Sequence, residues 1–200
     1  MTGELAFFGA FNPPTRAHVA LARFALEQTN AHRVMFVPSK AAYIRREQGK
    51  DFAYTDAERL AMLRRIAESR PWMAVSDWEM RQDRQPRTYH TLCHFRQEGH
   101  APALLMGSDK LPEMEKGWLY VREIAEEFGI VCLARGDDAC GRMLREDPFL
   151  RALAPYIRVL ATPEETRFVS STAVRRQVAR MRKMEAELQE CVPPEIIPLL

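Results

Sequence analysis

The chain has 200 residues, the length of one domain, and its 46% hydrophobic and 28% charged content is that of a globular protein with material for a sizeable core. With 29 Lys and Arg against 27 Asp and Glu, the net charge of +2 is too small an excess to make nucleic acid or an anionic membrane the main partner. Cys93, Cys132, Cys140 and Cys191 form no CxxC pair and no disulfide or zinc-ribbon spacing, so reduced, mostly buried thiols are expected.

Apolar runs alternate with amphipathic segments along the chain. The start carries no basic leader, and no apolar run approaches the roughly 18–20 residues that span a bilayer, so a cytoplasmic protein is expected. Residues 5–8 read as a buried strand and 17–28 as a helix whose apolar side is Val19, Leu21, Ala22, Ala25 and Leu26. Residues 34–37 are a second strand. Thr55-Asp56-Ala57-Glu58 has the form of a capping box and opens a helix to about Glu68. Further strands are expected at 73–75, 103–106, 130–134 and 157–160. Helices are expected at 88–97, at 121–128 before Gly129, and from Thr172 to about Leu188, with a short terminal helix after Val192-Pro193-Pro194-Glu195. Residues 39–53 and 136–148 have mixed charge and little periodicity and read as surface loops. This alternation argues for an α/β fold with a parallel sheet and right-handed crossovers, in a single domain over 1–200.

Two segments carry chemistry. In Gly9-Ala10-Phe11-Asn12-Pro13-Pro14-Thr15-Arg16-Ala17-His18 a strand ends at glycine, a Pro-Pro turn follows, and a helix begins. Helix N-termini at the carboxyl ends of parallel strands present N–H groups to phosphates. Thr15 and His18, three apart, share a helix face, where a hydroxyl and an imidazole could both donate to phosphate oxygens. The same residues would also serve an ordinary strand–loop–helix junction with a capping threonine. In Val169-Ser170-Ser171-Thr172-Ala173-Val174-Arg175 three hydroxyls precede a helix; they can cap it or, with Arg175, hold an anion. His90 and His94 have a zinc-compatible spacing, but no other ligand cluster accompanies them, so a surface helix and no protein metal site are expected.

Together, G-x-F-N-P-x-T/H-x-x-H near the start and V/I-S-S-T-x-x-R near the end resemble the nucleotidyltransferase superfamily, most closely the nicotinamide/nicotinate mononucleotide adenylyltransferases. Further similarity lies in Val75-Ser76-Asp77-Trp78-Glu79, Met106-Gly107-Ser108-Asp109, Trp118, the strand ending in Arg135, and Cys191-Val192-Pro193-Pro194-Glu195. The resemblance implies a Rossmann-like doubly wound parallel sheet with a small C-terminal helical portion over about 172–200. It implies attack by an acceptor 5′-phosphate on the α-phosphorus of ATP, releasing pyrophosphate and forming a dinucleotide in NAD biosynthesis. His18, Thr15 and Arg175 would act at the reacting phosphates. Gly9, Ala10, Phe11, Gly107, Asp109, Ser170, Ser171 and Thr172 would complete the ATP site, with Asp109 on the ribose. Lys40, Trp78, Trp118 and Arg135 would serve the pyridine mononucleotide, the tryptophans by stacking. Mg²⁺ would be bound mainly through ATP phosphates.

Thr15 stands where many bacterial nicotinate enzymes have His, Ala17 replaces a frequent Gly, and Ser39-Lys40-Ala41-Ala42-Tyr43 is closer to the nicotinamide type. These departures shift the acceptor question toward nicotinamide without settling it, and both the nicotinate and the nicotinamide mononucleotide stay open as acceptors. Rival readings are an adenylyltransferase for pantetheine phosphate or a similar acceptor, and a non-catalytic nucleotide sensor. A homo-oligomer is left open. Each lesser residue has a structural alternative: Asp109 as a helix cap, Trp118 as packing under a loop, Lys40 as a solvated loop charge.

Overall fold

The structure, a computed structural model, describes residues 3–48, 54–134, 139–163 and 191–199. Strand β1 (Glu4–Gly9) leads into helix α1 (Arg16–Thr29), and β2 (Arg33–Pro38) into α2 (Ala41–Gln48) and α3 (Asp56–Ala67). Strand β3 (Met73–Val75) is followed by the single turn α4 (Trp78–Arg81) and by α5 (Thr88–Gln97). Strand β4 (Ala103–Gly107) runs into a 3-10 turn (Ser108–Glu113), α6 (Met114–Gly117) and α7 (Val121–Phe128). Strand β5 (Ile130–Ala134), α8 (Ala139–Glu146), α9 (Pro148–Leu153) and β6 (Ile157–Ala161) complete the order before a terminal 3-10 segment, Pro194–Leu199.

All neighbouring strands are parallel, in the order β3-β2-β1-β4-β5-β6. That is the Rossmann-like, doubly wound arrangement. Both faces are covered, as a parallel sheet requires. Alternation along β1 shows it: Leu5 and Phe7 join the core under α1 and α3, while Ala6 joins the core under α5 and α7. Helix ends follow local chemistry. Thr55 and Glu58 form the capping box of α3, Asn30 ends α1 in the left-handed region at φ 55°, and Gly129 ends α7 at φ 76°.

The two expected loops are partly helical. Within 39–53, α2 buries Ala41 and Ile44, three residues apart. Within 136–148, α8 buries Cys140 and Leu144, four apart. In both, two apolar anchors suffice to dock a short helix, and charged neighbours hid the period. The expected helix over 172–188, the Ser170-Ser171-Thr172 run, Arg175 and Arg135 lie outside the described residues.

Candidate active site

In an open α/β sheet the ligand crevice lies at the carboxyl ends of the strands where the strand order reverses. Here that point is between β1 and β4, the two strands that end at Gly9 and Gly107. Parallel strands lie about 4.8 Å apart, so the segments leaving β3, β2, β1 and β4 stand side by side along one edge. They carry, in that order, Trp78, Lys40, the Gly9–His18 loop, and Asp109.

The β1 segment turns sharply. Phe11 takes φ 43° and the Asn12–Pro13 peptide is cis. The Phe11 ring lies over Gly9, where an added Cβ would stand 3.1 Å from its Cζ, so a larger residue there would crowd the buried ring. Phe11 also meets Phe7, Phe36 and the edge of His18, with ring centroids 5.2–5.5 Å apart. A buried aromatic under the loop thus fixes the height at which the chain crosses the sheet edge.

Thr15 is the N-cap of α1 and is fully buried. Its hydroxyl accepts the backbone N–H of His18 at 3.4 Å, while its own N–H donates to His18 Nδ1 at 3.0 Å. This is a capping box with imidazole where glutamate usually stands. Thr15 Oγ1 lies a further 2.8 Å from the same Nδ1. Because Nδ1 accepts, the neutral ring carries its hydrogen on Nε2. Thr15 and His18 are therefore brought together as expected, with the threonine hydroxyl and the ring Nδ1 engaged by each other.

Asp109 sits in the 3-10 turn after β4 with its side chain 57% exposed. A Cβ at Gly107 would collide with its carboxylate, so this glycine lets the carboxylate fold back over the end of β4. The N-cap of that turn is Gly107, and Asp109 lies inside its first turn.

The β2 segment is held by residues the sequence reading did not single out. Arg59 of α3 has no exposed surface. Its guanidinium donates to the carbonyl of Ala10, to that of Ser39 at 2.7 Å, and to Asp56. Asp56 in turn accepts the Ala41 N–H at 2.8 Å, and Ser39 N–H reaches Gly9 O at 3.0 Å. Burial pushes the Arg59 guanidinium down from its ordinary value, against the opposing pull of Asp56. Arg59 had a readable signal: with Met62, Leu63 and Ile66 it occupies the buried stripe of α3, an odd place for a charge.

Lys40 is half-buried, and its ammonium donates to the carbonyls of Met80, at 2.8 Å, and Gln82. It is a latch onto the end of α4, not a solvated loop charge. Glu79, 1% exposed, accepts from Thr91 Oγ1 at 2.7 Å and from Gln85 Nε2. Burial pushes its carboxyl up to about 7, the two hydrogen bonds opposing.

The aromatic candidates lie along the α5 side. Trp78 stacks on His94, with ring centroids 4.3 Å apart and planes 15° apart. His90 instead meets the Tyr120 ring, so the two histidines turn to different partners. No group of three metal-ligating side chains occurs among the described residues. Trp118 is half-buried against the core under α5 and α7. No described helix is long and apolar enough to cross a membrane. Cys132 and Cys140 are buried with sulfurs 3.7 Å apart, and Cys93 and Cys191 are half-buried; all four are reduced.

Residues 6–177 match the cytidylyltransferase-like family. A probable nicotinate-nucleotide adenylyltransferase of Aquifex aeolicus is 32% identical over 157 residues, covering 78% of this chain and 88% of that protein. One of Caldicellulosiruptor bescii is 26% identical, covering 87% and 85%. A Mycoplasma pneumoniae protein named probable nicotinate-nucleotide adenylyltransferase/Ap4A hydrolase is 32% identical over 133 residues, and this chain spans 37% of its length. Among solved structures, Plasmodium falciparum nicotinic acid mononucleotide adenylyltransferase complexed with NaAD superposes with a TM-score of 0.72 at 16% identity, over 98% of this chain and 93% of that one. The same protein complexed with APC gives 0.72 at 15%, over 100% and 94%.

Proposed function

We propose, from the premise that this chain belongs to the cytidylyltransferase-like family and within it to the nicotinate-nucleotide adenylyltransferases, that it transfers the adenylyl group of ATP to nicotinate mononucleotide. The observation that carries this reading is the Thr15–His18 box at the start of α1 beside the β1–β4 switch point, the kind of place where an open α/β sheet binds phosphate.

The acceptor's 5′-phosphate oxygen attacks the α-phosphorus of ATP. The bond from that phosphorus to the oxygen bridging to the β-phosphate breaks, and its electron pair leaves with pyrophosphate. No protein nucleophile is needed, so the protein contributes alignment and charge neutralisation. His18 Nε2–H donates to the phosphates, and its neutral tautomer suits a donor that need not surrender its proton. Thr15 acts through His18 by fixing the ring. Ser170, Ser171, Thr172 and Arg175 hold the β- and γ-phosphates. Asp109, exposed beside Gly107, accepts from the ribose hydroxyls. Trp78 and Trp118 bear on the pyridine ring, with Lys40 and Arg135 on the acceptor side. A Mg²⁺ ion that keeps most of its ligands as phosphate and water would need little more from the protein than the exposed Asp109 carboxylate beside it. When bound, that ion supplies charge neutralisation on the triphosphate. The reaction is placed in the cytoplasm.

Thr15 and residues 39–43 lean toward nicotinamide, whereas the relatives are named for nicotinate; we follow the relatives. With ATP, Mg²⁺ and each mononucleotide side by side, kcat/KM for the nicotinate form is expected to be higher by about tenfold or more. Preference for nicotinamide would overturn the acceptor, and no dinucleotide from either would overturn the reaction.

A further inference from the structure

A one-turn helix is too short to hold its own position. Helix α4 is such a turn, yet it carries Trp78, and Lys40 faces it from the adjoining strand end. What fixes the two relative to each other is a chain of hydrogen bonds, buried at Glu79 and Thr91 and half-buried beyond them. Glu79 takes the Thr91 hydroxyl of α5 on one oxygen and the Gln85 amide N–H on the other. The Gln85 amide oxygen then accepts the backbone N–H of Lys40 at 2.8 Å. The Lys40 ammonium closes the ring on the carbonyls of Met80 and Gln82, and the Gln82 amide donates back to Trp78 O at 3.0 Å.

We infer that Glu79, acting through Gln85, is a positioning residue for the acceptor site: it sets the gap between the Lys40 turn and Trp78 in which the pyridine mononucleotide binds. The inference rests on the proposed function above. Glu79 touches no substrate. In its ionised form both Glu79 oxygens accept, so the carboxylate orients the Gln85 amide with its N–H₂ end toward it. That leaves the amide oxygen for Lys40. Lys40 acts here as a latch, and the β1 segment that meets the triphosphate is not part of the ring. The ring therefore separates acceptor binding from ATP binding.

Gln85→Ala opens the ring while leaving the buried Glu79–Thr91 pair in place, so it keeps the fold where Glu79→Ala could lose it. Its KM for nicotinate mononucleotide should rise about fivefold or more, with KM for ATP and kcat within about twofold, the loss expected for one hydrogen bond acting on binding alone. A variant whose sole indole is Trp78, made by Trp72→Phe and Trp118→Phe, reads the positioning without turnover. Adding Gln85→Ala to it should shift the Trp78 emission and raise its quenching by acrylamide. Equal rises in both KM values, or an unchanged acceptor KM in an active enzyme, would overturn the inference. If the wild type makes no dinucleotide, the functional reading fails instead, and an unshifted Trp78 emission would then also overturn the positioning role.

Discussion

On the β1 side of the cleft, Thr15 and His18 hold each other across three residues of sequence, with Phe11 packed beneath them. On the β2 side, residues 39–41 are held by groups from elsewhere: Asp56, 15 positions from its partner Ala41; Arg59, 20 positions from Ser39; and Gln85, 45 positions from Lys40. The first wall is built round a local motif of strand, turn and helix start, tied to the rest of the molecule through Arg59 on the Ala10 carbonyl and Phe36 against Phe11. The second exists once α3, α4 and α5 have all docked. Damage to the first should therefore appear in the rate, and damage to the second in stability and acceptor binding.

Arg59→Met gives the largest expected effect. It leaves the carbonyls of Ala10 and Ser39 and the Asp56 carboxylate without the guanidinium they share, beneath both walls at once. Stability should fall by about 2–4 kcal/mol, mainly from leaving the Ala10 and Ser39 carbonyls without their donor, measured by urea denaturation. A loss under about 1 kcal/mol would mean that the β2 wall does not depend on its distant partners. His18→Ala, on the local wall, should do the reverse. Its kcat should fall by about 100-fold or more, roughly 3 kcal/mol of barrier, through loss of one preorganised donor. Stability should change by only about 1 kcal/mol, the worth of half a capping box. An unchanged kcat would remove His18 from the reaction.

The same contrast sets what the sequence discloses. The strands at residues 130–134 and the helices at 88–97 and 121–128 are legible to the residue, because period, glycine stops and apolar runs agree there. Thr15 and His18 are legible as a pair because three residues is a helical spacing, though their mutual capping is not: histidine in place of glutamate disguises the box. Lys40, Gln85, Glu79 and Thr91 carry no shared spacing, and α4 is one turn long, below what any period detects. Lys40 is named through the family resemblance alone, and of the others only Arg59 has a readable signal, as a charge in the apolar stripe of α3. Local order is written in neighbouring residues; the second wall is written in tertiary contacts.

The smallest effect, and the one that most sharpens the contrast, is a pH dependence confined to the non-local wall. The Glu79 carboxyl is pushed from its ordinary 4.5 up to about 7, first by burial, with the Thr91 and Gln85 hydrogen bonds pulling it down. The native state thus holds this proton more tightly than the unfolded chain. Its contribution is full below about pH 4.5 and is lost as pH rises through about 7. The wild type should lose about 2–3 kcal/mol relative to Glu79→Gln between pH 5 and pH 8, and nothing further above that. The variant's amide can turn its oxygen to the Gln85 N–H₂ and its own N–H₂ to the Thr91 hydroxyl oxygen, and any offset it carries is constant because an amide does not titrate, so the slope separates from the offset. Urea denaturation of both proteins at pH 5 and pH 8 measures it. Parallel pH dependence would show that Glu79 stays ionised in the native wall throughout this range, and that Thr91 and Gln85 outweigh its burial.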